Sequence, residues 1–247
     1  MSIPSKIARY LDRECKRLRN PSRAAQMSNY FKQIHPFYGI KSADLKHMIR
    51  QVQEKHRDEW TAPLLLYTAE LLLSEKHGEK KMLGVYLLGV PFNRKIIQED
   101  ATTLQTIGDF IERYVNDWAT CDGISSQVVR HLITEKPDYI PQVKDWCTSS
   151  NDWKQRASCV SFLTYARHGA HSDVVLDIAT HVINNPSRFP QLGAGWVLRE
   201  LSVAEEDRVV DFITENYTKF TREGLRYAIE KMNVRLRKEL LEYGKRP

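Results

Sequence analysis

Cysteine is scarce in this chain and scattered where it occurs. The four cysteines, Cys15, Cys121, Cys147 and Cys159, form no C-x-x-C pair, and no His/Cys cluster has zinc spacing. His168 and His171 stand three apart without a third ligand set beside them, the pattern of a helix terminus. The sequence therefore predicts no metal site and no cofactor. Its thiols read as reduced, partly buried residues of an intracellular protein, cytoplasmic and nucleoid-associated if the source is bacterial. Long apolar runs are missing too. The longest, around Leu64–Leu66 and Val85–Val90, are far too short to span a bilayer. The basic N-terminus has no apolar stretch behind it of the kind a secretory signal needs. There is no linker, no low-complexity segment, and no convincing strand pair or hairpin turn. A single domain over residues 1–247, with no membrane partner, is the simplest expectation.

What is present fits a soluble globular protein. The chain has 247 residues, 42% hydrophobic and 28% charged, with a formal net charge of +6. The charge is uneven. Residues 1–60 hold 13 Lys/Arg against 6 Asp/Glu, residues 219–247 hold 9 against 4, and residues 99–138 hold 3 against 8. Two basic ends around an acidic middle suggest a clamp for a polyanion, nucleic acid first, closed on something that favours positive charge. Ordinary surface variation is the other reading.

Apolar residues recur with helical spacing throughout. Residues 3–19 read as an amphipathic helix with Ile7, Leu11 and Cys15 inward and a basic outer face. Asn20-Pro21-Ser22 breaks it, and a second helix runs to Ile34. His35–Ile40 is a loop, after which Ser42 caps a third helix. Further helices follow at 62–74, 79–88, 98–114, from Asp117 to about 134, to 148, from an Asp152 cap to 168, and at 172–184, 190–203, 206–217, 221–231 and 234–243. A step of 36 from Val85 meets Cys121, Ala157, Gly193 and Ile229. The same step from Leu88 meets Ile124, Val160, Trp196 and Met232. Two such columns predict an all-α protein built as a right-handed α-solenoid of HEAT-like helical pairs, curved to give a concave face.

The stretch Asn116–Gly123 lies near the middle. Asp117 reads as the N-cap of a helix, and Trp118 and Asp122, four apart, share one face of it. An aromatic ring beside a carboxylate suits a cation; a core tryptophan beside a solvated acid gives the same pattern. With Tyr30 and Phe37-Tyr38-Gly39-Ile40 before it, and Trp153–Ala157 and Gly195–Glu200 after it, the chain resembles the AlkD family of alkylpurine DNA glycosylases. The resemblance covers almost the whole length. It implies a monomer that grips duplex DNA in a concave face and releases cationic N3- and N7-alkylated purines, leaving the damaged base stacked. By motif position it makes Asp122 the catalytic carboxylate, Trp118 and Trp196 its tryptophans, and Arg156 a backbone contact. Arg199, Tyr30 and Lys41 join these as DNA contacts. Two positions depart from the family pattern. Asp117 stands where a second tryptophan is common, and Lys41 where an uncharged polar residue is expected. Packing competes for several of these residues. Tyr30 is as readily core as DNA contact, and Trp196 falls in the apolar repeat column.

The chemistry suits these residue types. Alkylation makes the purine a cation that leaves as a neutral base, so no general acid is required. The difficult charge is the one growing on the deoxyribose, which an ionised carboxylate and tryptophan faces stabilise. The leading expectation is a monofunctional glycosylase. The alternatives are a non-catalytic HEAT-like protein binding duplex or branched DNA, and a protein–protein scaffold.

Overall fold

The computed structural model describes residues 2–32 and 34–245, and among these there is helix and no strand. The chain divides into two compact units, residues 1–137 and 138–247. The first holds α1 (Ile3–Arg17), α2 (Pro21–Tyr30), α3 (Ser42–Lys55), α4 (Ala62–Leu73), α5 (Gly78–Gly89), α6 (Pro91–Gln98), α7 (Thr103–Tyr114), α8 (Trp118–Ile124) and α9 (Arg130–Glu135). The second holds α10 (Ile140–Asp145), α11 (Asp152–Ser161), α12 (Leu163–Arg167), α13 (Ser172–Val182), α14 (Arg188–Leu201), α15 (Glu206–Glu215), α16 (Arg222–Ala228) and α17 (Val234–Glu242).

Caps and prolines set most starts. Asn20 accepts from the Arg23 amide and Pro21 fills the first turn of α2, so the expected break after α1 is shorter than Asn20–Ser22. Thr61 caps α4, with Pro63 in its first turn. Two expected caps move by one residue. Lys41 precedes α3 with extended backbone and no side-chain cap, leaving Ser42 as the first helical residue. Asn151, not Asp152, caps α11 by accepting from the amides of Trp153 and Lys154. Pro91, expected only to end a helix, also begins α6, because a proline in a first turn has no amide to leave unpaired. The long helix expected from Asp152 breaks at Phe162, and the one from Asp117 passes through a π turn at Ser125–Val129.

The first repeat column is buried in both units. Val85, Cys121, Ala157 and Ile229 are all at most 1% exposed, and Gly193 is buried. In the first unit α5 packs on α4 and α8; in the second α14 packs between α11 and α16. Neighbouring pairs that bury one another's stripes are what an α-solenoid-like fold requires. At Gly193 an added methyl would stand 3.3 Å from the Arg156 Cα, so the glycine lets α14 lie close on α11. Lys81 ties helix ends together. It is buried, and its Nζ donates to the Leu73 and Tyr114 carbonyls, the last residues of α4 and α7. A cation there faces two helix C-termini, where its charge is favoured, although burial pushes its pKa down.

Candidate functional site

The start of α8 is held from three sides. Asp117 lies on extended backbone, and its carboxylate accepts from the Thr120 amide at 2.9 Å and the Thr120 hydroxyl at 2.6 Å. The expected N-cap is therefore present. The second oxygen also meets His35 Nε2 at 2.9 Å, with both side chains 3% exposed. Burial pushes the Asp117 carboxyl up, but the hydrogen bonds from His35 and Thr120 outweigh it and leave it below its ordinary value.

This pair fixes the segment after α2 against α8 and so brings aromatic rings onto Trp118. Phe31 stacks on it at 5.4 Å between ring centres and 13° between planes, and Tyr30 meets it edge-on at 6.0 Å. Tyr30 is 69% exposed, so of its two sequence readings the core one fails. Trp118 and Asp122 are both half-buried and one turn apart on α8. The adjoining Phe37–Ile40 loop wraps the buried Glu79 carboxylate, which accepts from the amides of Tyr38 (3.1 Å), Gly39 (2.7 Å) and Ile40 (3.2 Å). Gly39 has φ +83°, and a Cβ there would lie 2.2 Å from the Asn20 carbonyl, so this turn needs glycine. Lys41 follows the loop with its side chain exposed. Beside Trp118 lies a cavity of about 340 Å³ whose lining includes Tyr30, Phe31, Phe37, Met82 and Tyr86.

The second unit gathers the other expected residues. Two guanidinium groups approach the Trp196 ring, Arg156 at 6.0 Å and Arg199 at 5.9 Å from its centre. Arg156 is buried and donates to the Phe189 carbonyl at 3.1 Å. Arg199 pairs with Glu200 at 2.9 Å and with Glu230, and lies 4.7 Å from the Tyr227 ring. Glu200 also holds Lys231 at 2.6 Å. Burial pushes the Glu200 carboxyl up, and its bonds to Lys231 and Arg199 bring it below the usual value. The repeat column assigns Trp196 to the core, and here it is wrong. Trp196 is half-buried against these arginines and Tyr227, while Val197 and Leu198 take the buried positions of that turn.

Sequence reasoning finds Tyr30, Trp118 and Asp122 in one unit and Arg156, Trp196 and Arg199 in the other. It misses His35, Phe31 and Glu79. The N-cap reading of Asp117 was the available signal for the first; its partner lies 82 residues away and leaves no local pattern.

The fold is one already known among solved proteins. A structure titled "Predicted DNA alkylation repair enzyme from Enterococcus faecalis" superimposes with a TM-score of 0.77, covering 87% of this chain and 97% of that one, at 16% sequence identity. At that identity the likeness is one of fold. No curated protein matches the chain in sequence. The sequence profile of the family described as DNA alkylation repair enzyme, however, matches residues 11–232. The chain belongs to that family, and membership places it among DNA-repair enzymes, with DNA the expected substrate.

Proposed function

We propose that the protein is an AlkD-like DNA glycosylase that hydrolyses the N-glycosidic bond of cationic N3- and N7-alkylated purines in duplex DNA. The observation that carries this reading is the carboxylate–tryptophan pair on α8, Asp122 one turn beyond Trp118, with the helix start locked by Asp117 and His35. Asp122 stabilises the oxocarbenium-like sugar and orients the attacking water. Preorganised contacts of this kind are worth about 3 kcal/mol. The face of Trp118 adds roughly 0.5–2 kcal/mol toward a cationic centre, and Trp196 is the second tryptophan that the family resemblance assigns to catalysis. Arg156 and Arg199 serve phosphate contacts, and Tyr30 and Lys41, both exposed, add grip on the backbone. The family match runs across both units, which supports reading residues 1–247 as one functional domain; we take it to act as a monomer. A right-handed, HEAT-like stack with a concave DNA face belongs to the same reading.

The test is direct. Duplex DNA carrying N7-methylguanine or N3-methyladenine is incubated with the protein and free base is measured. Release should exceed the spontaneous rate, and Asp122→Asn should lower it by about 10²-fold. Release no faster than without protein leaves a DNA-binding role only. Undiminished release by Asp122→Asn removes Asp122 from the mechanism.

A further inference from the structure

The basic outer face of α1 has no part in the site on α8. Two of its cations, Lys6 and Arg13, line a cavity of about 520 Å³ together with Lys55 and His56 at the end of α3. No aspartate or glutamate is among the described lining residues of this cavity. Other cations of α1 are neutralised along the helix, where Lys16 meets Asp12 and Arg17 meets Glu14, each at 2.7 Å. Lys6, Arg13 and Lys55 have no such ion pair among the described residues, and all three are exposed. Like charges around one cavity repel, and a polyanion relieves that repulsion. The floor beneath them is apolar. It is formed by Ile7 and Val52, 1% and 3% exposed. Tyr10 supplies an aromatic wall, and its hydroxyl donates to Gln51 Oε1 at 3.1 Å, which ties α1 to α3 and steadies the ring.

The cavity does not end at Tyr10. Tyr10 and Gln51 also line a second one, of about 410 Å³, with Arg17 and His47. Leu18 and Asp44 carry that into a third, of about 360 Å³, with Arg23 and Lys41. The three make a groove between α1 and α3 from Lys41 to Lys55, roughly 20 Å over the 14 residues of α3. Its acids are Glu14, which Arg17 takes, and Asp44. A cationic groove with an apolar floor and an aromatic wall suits a single strand, whose bases are free to lie on a ring. A duplex keeps its bases paired inside and offers such a groove its backbone only.

We propose that the groove between α1 and α3 binds single-stranded DNA continuing from the duplex, with phosphates on Lys6, Arg13 and Lys55 and a base against Tyr10. The proposal rests on DNA as the substrate, which family membership supports, and is independent of the glycosylase step.

The experiment uses the full chain and undamaged duplexes that are blunt or carry a ten-nucleotide extension at the 5′ or the 3′ end. About ten nucleotides exceed the groove even at about 3.4 Å per phosphate. In fluorescence anisotropy at several salt concentrations, at least one extended duplex should bind about tenfold tighter than the blunt one. Lys6→Gln, Arg13→Gln and Lys55→Gln together should remove that advantage and leave blunt-duplex affinity within roughly threefold. They should also flatten the salt slope of the extended duplex by about two, since three contacts to a single strand contribute about 0.7 each. Tyr10→Leu keeps apolar bulk and removes the aromatic face. It should cut the advantage by about fivefold or more with the slope unchanged. Equal wild-type affinity for blunt and extended duplexes overturns the proposal, as does an advantage that survives the triple substitution. A loss shared equally by the blunt duplex also overturns it, because these cations would then belong to the ordinary duplex grip. Base release from blunt N7-methylguanine DNA is measured alongside. Its absence in every form, with the extension advantage intact, would remove the glycosylase reading and leave the groove standing.

Discussion

At the residue scale, Asp117 is the side chain on which most depends. It caps α8, binds Thr120 twice and holds His35, all while buried. Folding depresses its carboxyl. A group of that kind stabilises the fold once pH is above its unfolded value, near 3.9, and the contribution disappears as pH falls through the lower folded value. Urea midpoints taken from neutral to acidic pH should therefore fall across that window. Asp117→Asn should begin less stable by about 1–3 kcal/mol and lose less on acidification. Equal acid losses in variant and wild type would show that other carboxyls carry the effect. Asp12 is a second such group, held at about 2 by its bonds to Lys16 and Lys80, and it would remain in the variant as an internal reference.

At the scale of elements, the sequence shows where helices begin better than how they continue. Asparagine, threonine, aspartate and proline punctuate it, and the caps at Asn20, Thr61 and Asp117 follow from them. The π turn at Ser125–Val129 has no such marker in the sequence. Trp196 shows the same limit. A periodicity identifies the buried stripe, but a large ring at its edge turns toward Arg156 and Arg199 without breaking the pattern. Lys81 is a long-range device of this kind, legible only once α4 and α7 are side by side. Lys81→Met keeps the length of the side chain and removes its donors, leaving the Leu73 and Tyr114 carbonyls without that partner. It should cost roughly 1–3 kcal/mol in equilibrium unfolding. A neutral substitution would mean that water replaces the ammonium at both helix ends.

At the scale of the whole molecule, the sequence announced an all-helical fold through its apolar spacing, and a broad purpose in DNA repair through scattered motifs. The division at residue 137 was not legible, because no glycine- or proline-rich stretch marks it. The uneven charge bears on binding. The excess of Lys/Arg in residues 1–60 and 219–247 predicts a steep salt dependence for duplex DNA. With six or more phosphates engaged, affinity should fall by roughly 10³-fold between 50 and 200 mM salt. Fluorescence anisotropy with an undamaged duplex measures this, and a flat response would point to a protein-binding scaffold instead. Among the described residues no helix is long and apolar enough to cross a membrane.

The bond between His35 and Asp117 also has a consequence in time. It joins positions 82 residues apart, so its formation must wait until the intervening chain has closed a long loop. The cap on Thr120 is local and forms with α8 itself. Folding kinetics should separate the two: His35→Ala should leave the refolding limb of a chevron nearly unchanged and steepen the loss on the unfolding side. A slowed refolding limb would place the pair in the nucleus. If the contact is late, the aromatic cluster on Trp118 is among the last parts of the chain to be assembled and among the first to be lost.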